Sequence, residues 1–318
     1  MEQILFESTT LTGGLICPDC RGSLDITDAQ SWCMHCDLHY ERNNHGYLEF
    51  ITDEKIAQID TTTDDYAEDQ RTCGDRLYEE YLRPLFMKEP FHRVLDVGCG
   101  VGRGITRLLE GGYDAYGIDL LGLSRYWREV GNDPNHFFCC DSTRLPFPDG
   151  FFDLVYSTGV IEHIGTTDGK STLAANYLES RRQYAAEILR VTRPGGRIMI
   201  SCPNKSFPVD IQHGPQDETV PKSSWWRNFI FDKTRMNVHR IRGNYHLLSY
   251  AETRRLFCQS GEVSSFEPLP LKGYFGFGRF QSGFLKPITR LANVYVENLP
   301  ASLRASFLNP YMLVEIKK

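Results

Sequence analysis

The sequence predicts an α/β fold in which a doubly wound, mostly parallel sheet follows a small metal-stabilised module. Two observations support this prediction. Four cysteines lie close together near the start of the chain, and from residue 91 onward short apolar runs alternate with helical stretches. Strands that alternate with helices form a parallel sheet covered by helices on both faces. Such a sheet binds its ligands beyond the carboxyl ends of its strands.

The composition is that of a globular protein. The chain has 318 residues, of which 41% are hydrophobic and 12% aromatic, enough for a full core. Its net charge of −6 argues against broad binding of nucleic acid through phosphates, although a local basic patch is compatible with it. The sequence shows neither a run of about 18 apolar residues nor the pattern of a signal peptide. We therefore expect a soluble, cytoplasmic protein without a transmembrane segment.

The first module is defined by two C-x-x-C pairs with twelve residues between them. Two such turns can place four thiolates around one ion, in the tetrahedral arrangement typical of structural zinc. The predicted ligands are Cys17, Cys20, Cys33 and Cys36. Four protein ligands leave no open position, and the module is too small to fold on an apolar core alone. The zinc is therefore expected to stabilise it. His35 and His39 are spare ligands or simply exposed side chains.

Residues 52–90 are expected to connect this module, residues 1–51, to the main domain, residues 91–318. The stretch 52–75 holds eight acidic and two basic residues and predicts a partly helical linker. Apolar residues then recur at helical spacing over residues 77–85. We expect this second helix to pack on the main domain, and covering of a ligand pocket is the alternative.

The main domain is predicted to alternate regularly between strands and helices. Predicted strands are "RVLDVG", "DAYGIDLL", "HFFCCDS", "FFDLVYSTG" and "PGGRIMISCPN". Predicted helices are "GITRLLEGG", "STLAANYLESRRQYAAEILRV" and "LSYAETRRLFCQSG". Paired glycines end the first helix, while Ser249 and Glu252 form a capping box at the start of the last, which Gly261 ends.

The loop after the first strand is rich in glycine. Gly98, Gly100 and Gly102 are spaced by two residues, whereas a dinucleotide-binding loop reads G-x-G-x-x-G and holds a pyrophosphate. Asp96, two residues before the first glycine, would repel such an anion but would tolerate an ammonium or a sulfonium. A further acid, Asp119, ends the next strand, where it can accept hydrogen bonds from ribose hydroxyls. With another acid after the third strand, the pattern predicts a site for a nucleoside with a cationic tail.

Four stretches in order resemble the motifs of class I S-adenosylmethionine (SAM)-dependent methyltransferases, close to the type 11 group. They are "VLDVGCGVGRG", "GIDL", "CCDSTRLPFPDGFFDLVYSTGVIEHI" and "EILRVTRPGGRIMISCPN", and together they run from Arg93 to Asn204. The cysteine module looks like the zinc ribbon that precedes this domain in some methyltransferases. The resemblance implies a Rossmann-like fold and SAM as the cofactor.

The resemblance also implies roles for individual residues. The predicted cofactor-binding residues are Asp96, Gly98, Cys99, Gly100, Gly102, Asp119, Leu120, Asp141, Ser142 and Thr158. The three glycines would let the backbone approach the methionine and ribose, with Asp96 by the amino end and Asp119 on the ribose. Asp141 would face the adenine amino group beside the Ser142 backbone, and Leu120 would flank the ring or merely pack. Thr158 would line the methionyl group, and the cysteine of the loop has packing as its alternative role.

Methyl transfer needs a general base only when the acceptor arrives protonated, since holding the reactants in line supplies much of the catalysis. His163 is the first candidate base, and a structural residue at a helix start is the alternative. Some relatives carry E-x-x-E-H here and bind a metal. This chain has Gly159 in place of the first acid, and Glu162 with His163 alone are too few ligands.

Two less regular segments, near 203–247 and 269–305, are expected to select the acceptor. The first contains "PNKSFPVDIQHG", which resembles a stretch of methyltransferases from small-molecule and glycan pathways. Asp210 and His213 are therefore further candidates for acceptor contact or base, with a structural loop bond as the alternative. The second segment gathers aromatic residues that would wall an apolar acceptor pocket, touch a membrane surface or pack on the sheet edge.

These features favour a SAM-dependent methyltransferase acting on an oxygen or nitrogen atom of a small molecule, sugar or lipid-linked glycan. The first alternative is a ribosomal or transfer RNA base methyltransferase that uses the ribbon for RNA contact. Residues 225–242 support it, because they hold five basic residues among aromatic ones. The second alternative is a non-catalytic adaptor with a SAM-binding fold, against which the intact glycine loop and acids argue.

Overall fold

The structure, a computed structural model, describes residues 14–27, 30–57, 59, 64–215, 225–272 and 286–318. The aromatic residues predicted to wall an acceptor pocket, from Tyr274 to Phe284, lie outside these ranges. The described strands are β1 (Leu24–Ile26), β2 (Gln30–Cys33), β3 (Leu38–Glu41), β4 (Arg93–Val97), β5 (Asp114–Asp119), β6 (Phe137–Cys139), β7 (Phe152–Thr158), β8 (Thr192–Pro203), β9 (Val209–Asp210), β10 (Asn237–Val238), β11 (Ser265–Pro268) and β12 (Tyr311–Lys317). The described helices are α1 (Glu54–Ala57), α2 (Asp64–Leu77), α3 (Arg83–Phe86), α4 (Arg103–Glu110), α5 (Ser124–Glu129), α6 (Tyr177–Val191), α7 (Trp225–Thr234), α8 (Tyr250–Ser260) and α9 (Lys286–Glu297).

Seven strands form the main sheet in the order β11–β12–β8–β7–β4–β5–β6. The strands β4 to β8 pair in parallel, whereas β12 runs antiparallel between β8 and β11. The predicted doubly wound, mostly parallel sheet is therefore confirmed, and β11 and β12 are additions to the predicted strands. The strand order reverses at β4, between β5 and β7, which is where such sheets form a binding crevice.

Apolar side chains cover both faces of this sheet. In β4, Leu95 and Val97 belong to one core while Val94 belongs to the other, because successive strand residues point to opposite faces. The helix α6 adds Tyr184 to the first core, and α4 adds Ile105 to the second. Parallel strands buried on both faces explain why the sequence shows continuous apolar runs here rather than alternation.

The N-terminal module is a three-stranded antiparallel sheet of β1, β2 and β3. Each C-x-x-C pair forms the same turn, in which the residue after the second cysteine has a left-handed backbone. These residues are Arg21, with φ of 62°, and Asp37, with φ of 58°. Their backbone N–H groups donate to the carbonyls of Cys17 and Cys33, both at 2.8 Å. The repeated turn brings the two cysteine pairs together.

The last part of this module, after β3, lies along the edge strand β6. The N–H of Cys139 donates to the Leu48 carbonyl at 2.9 Å, and the N–H of Phe50 donates to the Cys139 carbonyl at 2.8 Å. The ring of Phe50 packs between Tyr40 of the module and Phe138 of β6, at centroid distances of 5.0 and 6.2 Å. The module is thus docked on the main sheet, and an edge that would otherwise expose unpaired backbone groups is covered.

The acidic segment and the following helix pack on the main domain. A single π-helical turn, Tyr78–Leu82, joins α2 to α3. Its Tyr81 and Leu82 are buried, as is Phe86 of α3, whose ring lies 4.3 Å from that of Tyr113. Among the described helices, none combines the length and the apolar character needed to cross a membrane.

Candidate functional site

A cavity of about 940 Å³ opens beyond the carboxyl ends of β4, β5, β6 and β7. This is the location that the sheet topology predicts for a ligand. Predicted site residues on its wall are Gly98, Gly100, Asp119, Leu120, Asp141, Ser142, Thr158 and His163. The predicted residues Asp96, Cys99, Gly102 and His213 are described too, but they do not line this cavity.

Two glycines of the loop are required by close contacts at the cavity. Gly98 and Gly100 have φ of 83° and 57°, in the left-handed region that disfavours other residues. A Cβ at Gly98 would overlap the Val160 side chain, and one at Gly100 would overlap the side chain of Gln70 from α2. At Gly102 the close contact is with an aromatic ring, because a Cβ there would lie 2.5 Å from the Phe137 ring. The first two glycines therefore keep the loop thin where a ligand would approach.

Asp119 ties the glycine loop to the end of β5. Its carboxylate accepts hydrogen bonds from the N–H of Gly100 and the N–H of Leu120, both at 2.7 Å. Burial raises the pKa of Asp119 to about 6, although these two N–H groups lower it. The group is therefore ionised at neutral pH, and its position on the cavity wall suits hydroxyl donors such as those of a ribose.

Asp141 lies on the same wall, after β6. Its two carboxylate oxygens accept hydrogen bonds from the Thr143 backbone N–H at 2.9 Å and from the Thr143 hydroxyl at 2.8 Å. This turn fixes the carboxylate beside Ser142. Leu120 and Ile118 add apolar surface to the cavity. An acid beside apolar surface is the arrangement that the family resemblance implies for binding of the adenine.

Asp96 and Cys99 lie beneath the loop. The carboxyl of Asp96 is 5% exposed, and desolvation raises its pKa well above the usual range, partly offset by the Tyr156 hydroxyl and reinforced by Asp119. The sulfur of Cys99 packs against Gly117 of β5, where a Cβ would lie only 2.8 Å from it. Within the described residues, both side chains therefore occupy packing positions, and their predicted contact with a cofactor stays a prediction.

The N-terminal module forms part of the cavity wall, an arrangement that no local sequence pattern predicts. Asp19 and Arg21, from the first cysteine turn, line the cavity. Asp19 accepts an ion-paired hydrogen bond from Arg144 at 2.7 Å, and Arg21 donates to Glu187 of α6 at 3.2 Å. Contacts between residues more than 100 positions apart leave no local signal in a sequence.

The acidic segment covers another side of the cavity. The cavity is lined by Ile56 of α1, by Ile59 in the following loop and by Gln70 of α2. The helix over residues 77–85 does not line it. The pocket is therefore covered by residues 52–75 and not by the helix over residues 77–85.

The four predicted zinc ligands lie together. The sulfur atoms of Cys17 and Cys36 are 3.6 Å apart, those of Cys20 and Cys33 are 3.4 Å apart, and all four lie within 4.8 Å of one another. A tetrahedral zinc with bonds of about 2.3 Å requires sulfur separations of about 3.8 Å. The donor set therefore fits zinc.

The fold brings together the two candidate catalytic histidines. The Nε2 atoms of His163 and His213 face each other at 3.5 Å. The Nδ1 atom of His163 lies 2.9 Å from the Lys170 carbonyl, and Nδ1 of His213 lies 2.7 Å from a carboxylate oxygen of Asp210. Both partners are acceptors, so the Nδ1 atom of each ring carries a proton and its Nε2 atom faces the other ring.

Two further ionisable residues complete this histidine cluster, which comprises Glu162, His163, Asp210, His213 and His246. Glu162 is fully buried, and among the described residues neither of its carboxylate oxygens has a hydrogen-bond partner. Burial raises the pKa of Glu162 to about 7, although His213 lowers it. Burial, together with the neighbouring His213, lowers the pKa of His163 to about 4 and that of His246 to about 2. Both rings are therefore neutral at pH 7.

Arg181 of α6 holds the cluster in place. Its buried guanidinium donates to the backbone carbonyls of Glu162, Ile164 and His246, at 3.3, 3.1 and 2.5 Å. The role of Arg181 was not predicted from the sequence, although its position in the helix is informative. Arg181 lies on the same helical stripe as Tyr184 and other buried residues of α6, where an arginine must find partners.

A short pair of antiparallel strands positions Asp210. The strand β9 pairs with β10, with Asp210 opposite Asn237 and Val209 opposite Val238. Asp210 is 2% exposed, and its carboxylate also accepts the N–H of Gln212 at 2.8 Å. Opposing burial, His213 is the chief cause that keeps the pKa of Asp210 below its usual range. The charged carboxylate thereby fixes the orientation of the His213 ring.

The family model described as "Methyltransferase domain" matches residues 95–200. This range holds the glycine loop, the three acids and the strands β5 to β7 that build the cavity. Together with the strand order, the match shows that this part of the chain is a class I methyltransferase domain.

Particular proteins resemble parts of the chain. A probable chloroplastic tocopherol O-methyltransferase of Oryza sativa subsp. japonica is 35% identical over 147 residues, covering 42% of this chain and 36% of that protein. A malonyl-[acyl-carrier protein] O-methyltransferase of Erwinia pyrifoliae is 32% identical, covering 43% of this chain and 45% of that protein. A solved Haemonchus contortus phosphoethanolamine N-methyltransferase with S-adenosylhomocysteine has a TM-score of 0.45 and 15% identity, covering 85% of this chain and 61% of that one. The chain thus spans less than half the length of the two curated relatives.

Proposed function

We propose that the protein transfers the methyl group of SAM to an oxygen or nitrogen atom of a small molecule, sugar or lipid-linked glycan. One observation carries the proposal. One cavity is lined both by Gly98, Asp119 and Asp141 and by Thr158 and His163. Cofactor-binding groups and a polar cluster able to meet an acceptor thus share one space.

The chemistry follows from this arrangement. SAM supplies a methyl group already activated by its sulfonium. The acceptor gains the methyl and loses a proton, and the sulfonium becomes a neutral thioether. The chain contributes by holding the two reactants in line. The glycine loop and Asp119 hold the cofactor, and the end of β7, with Thr158, separates it from the histidine cluster, where the acceptor atom would be activated.

The O-methyltransferase names of the two curated relatives support an oxygen acceptor. We assign zinc to the four cysteines, with a structural role, because four thiolates complete its coordination. Since Asp19 and Arg21 belong to this module and line the cavity, the zinc would also maintain one wall of the cofactor site. A cytoplasmic location and contact with a membrane surface stay predictions from the sequence.

Transfer of label from SAM tests the function. Wild-type protein is incubated with methyl-labelled SAM and fractionated cell extract, beside Asp119→Ala and the control Asp114→Asn. Asp114 lies at the opposite end of the same strand, in a surface ion pair with Arg93. We expect label in a small-molecule or glycan fraction with wild type and control, and at least tenfold less with Asp119→Ala.

Three outcomes would count against this proposal. Label in RNA would overturn the acceptor class and favour the alternative function. Binding of SAM without transfer to any fraction would favour an adaptor. Failure of the wild-type protein to bind SAM or S-adenosylhomocysteine would overturn the function altogether.

A further inference from the structure

The two facing histidines of the cluster present an electrostatic problem. The Nδ1 atoms of His163 and His213 each lie against an acceptor, which directs both Nε2 atoms into the same space, 3.5 Å apart. Two lone pairs repel each other unless a proton or a cation lies between them. A shared proton would draw the nitrogens closer, since N–H hydrogen bonds span about 2.7 to 3.2 Å. The separation suits a larger cation better.

Glu162 adds a carboxylate to this space. It is fully buried, and within the described parts of the chain both of its oxygens lack a hydrogen-bond partner. Buried polar groups are almost always bonded, and buried charges are paired or coordinate metals. One ligand atom each from Glu162, His163 and His213 lies within 4.8 Å of the others. The unpartnered carboxylate and the two facing nitrogens thus surround one space, in which a single cation would contact all three side chains.

We propose that Glu162, His163 and His213 bind a divalent transition-metal ion at the acceptor end of the cavity. A metal held by imidazole nitrogens at about 2.0 to 2.1 Å in tetrahedral geometry needs nitrogen separations of about 3.3 Å. The observed 3.5 Å requires only a small movement. The outer bonds match as well, because metal-binding histidines usually donate their other N–H to a carboxylate or a backbone carbonyl. Here Asp210 and Lys170 provide one of each.

The donor set indicates which ions fit. Two imidazoles and one carboxylate suit zinc, iron, cobalt or manganese, whereas magnesium and calcium prefer ligands that are all oxygen. Only three protein ligands leave a coordination position open, and His163 lies on the cavity wall, so that position would face the acceptor. Resting on the proposed function, the ion would bind the acceptor oxygen or nitrogen there and lower its pKa.

The sequence alone argues against a metal here, because Glu162 and His163 are only two ligands. The third comes from a residue 50 positions away. Gly159 replaces the acid that would lie one turn earlier, and a Cβ at Gly159 would be 3.9 Å from a Glu162 oxygen. The position of the absent acid thus borders the proposed site, and His213 supplies the ligand that the motif lacks.

Cobalt binding tests the site in the full-length protein. Chelator-treated protein is titrated with Co²⁺, and metal content, visible absorption and thermal unfolding are measured for wild type, Glu162→Gln and His213→Gln. The control is His239→Gln, since His239 is a buried histidine outside the cluster whose Nδ1 bonds the Arg240 carbonyl.

We expect two ions per wild-type chain and per control chain. The ion in the cysteine module gives thiolate-to-cobalt absorption, and the second ion gives only weak bands. Glu162→Gln and His213→Gln should keep the thiolate band, bind the second ion at least about a hundredfold more weakly and lose the stabilisation that this ion gives to wild type. Binding of S-adenosylhomocysteine should stay within about twofold of wild type in every variant, which also shows that each variant folds.

One ion per wild-type chain, or a second ion that both variants retain, would overturn the metal site. Either result with normal S-adenosylhomocysteine binding would leave the methyltransferase proposal standing. Loss of that binding in the wild-type protein would instead overturn the proposed function, so the two failures can be told apart.

Discussion

Binding of SAM should weaken as the pH falls below about 6, because of Asp119. Burial raises the pKa of this carboxyl to about 6, opposed by the N–H groups of Leu120 and Gly100. Hydroxyl donors bind an ionised carboxylate more strongly than a neutral carboxyl. A raised pKa means that the ionised form, and the affinity that depends on it, is present above pH 6 and is lost on acidification through it.

The size of the effect follows from the titration. With a pKa of about 6, about one Asp119 side chain in eleven is ionised at pH 5, against nearly all at pH 7.5. If only the ionised form binds, the Kd rises about tenfold between these two values, which corresponds to about 1.4 kcal/mol.

Isothermal titration with S-adenosylhomocysteine at pH 5, 6 and 7.5, at constant ionic strength, measures this dependence. Circular dichroism at each pH confirms that the protein stays folded. Asp119→Asn should bind weakly at every pH, with no slope in this range. The same Kd for wild type at pH 5 and pH 7.5 would refute the reasoning. A slope that persists in Asp119→Asn would assign it to another group, such as Asp96.

Three further predictions concern the loop, the cysteine module and Arg181. Gly98→Ala should weaken S-adenosylhomocysteine binding at least tenfold, because its Cβ would overlap Val160. Gly112 shares the left-handed backbone but has open space around it, so Gly112→Ala should affect stability alone. Equal binding by both variants would contradict this. Cys17→Ser with Cys33→Ser should bind about one equivalent of zinc less than wild type and weaken cofactor binding, while Cys258→Ser, at an exposed position, should change neither. The same zinc content in the double variant as in wild type would exclude the cysteine site. Arg181→Ala should lower the free energy of unfolding by at least about 2 kcal/mol in urea denaturation, because three buried carbonyls lose a donor, whereas Arg182→Ala removes only an exposed ion pair and should cost under about 0.5 kcal/mol; similar losses for the two would refute the anchoring role.

Local patterns account for the parts of the fold that the sequence predicted. The capping box of Ser249 and Glu252 is present at the start of α8, which ends at Gly261 as expected. The helix predicted from residue 171 begins later, at Tyr177, because the preceding residues form turns around Asp168. Helix ends depend on such side-chain bonds, and periodicity does not report them.

The edge of the sheet shows what local patterns cannot report. Tyr311–Lys317 is an apolar run that forms β12 between β8 and β11. Its antiparallel direction is set by how the chain returns to the sheet, which involves residues far apart. The docking of the cysteine module along β6, through Leu48 and Phe50, is likewise a long-range contact.

The sequence by itself determined the methyltransferase domain and the clustering of the four cysteines, since both depend on short spacings. A C-x-x-C turn brings two sulfurs together wherever it occurs, and a glycine loop between a strand and a helix keeps its shape within a few residues. Only the tertiary structure decided the histidine cluster. His163, His213 and His246 are separated by 50 and 33 positions, and each has an ordinary structural role when considered alone. Arg181 and the paired strands β9 and β10 bring them together, through contacts between residues far apart in the sequence.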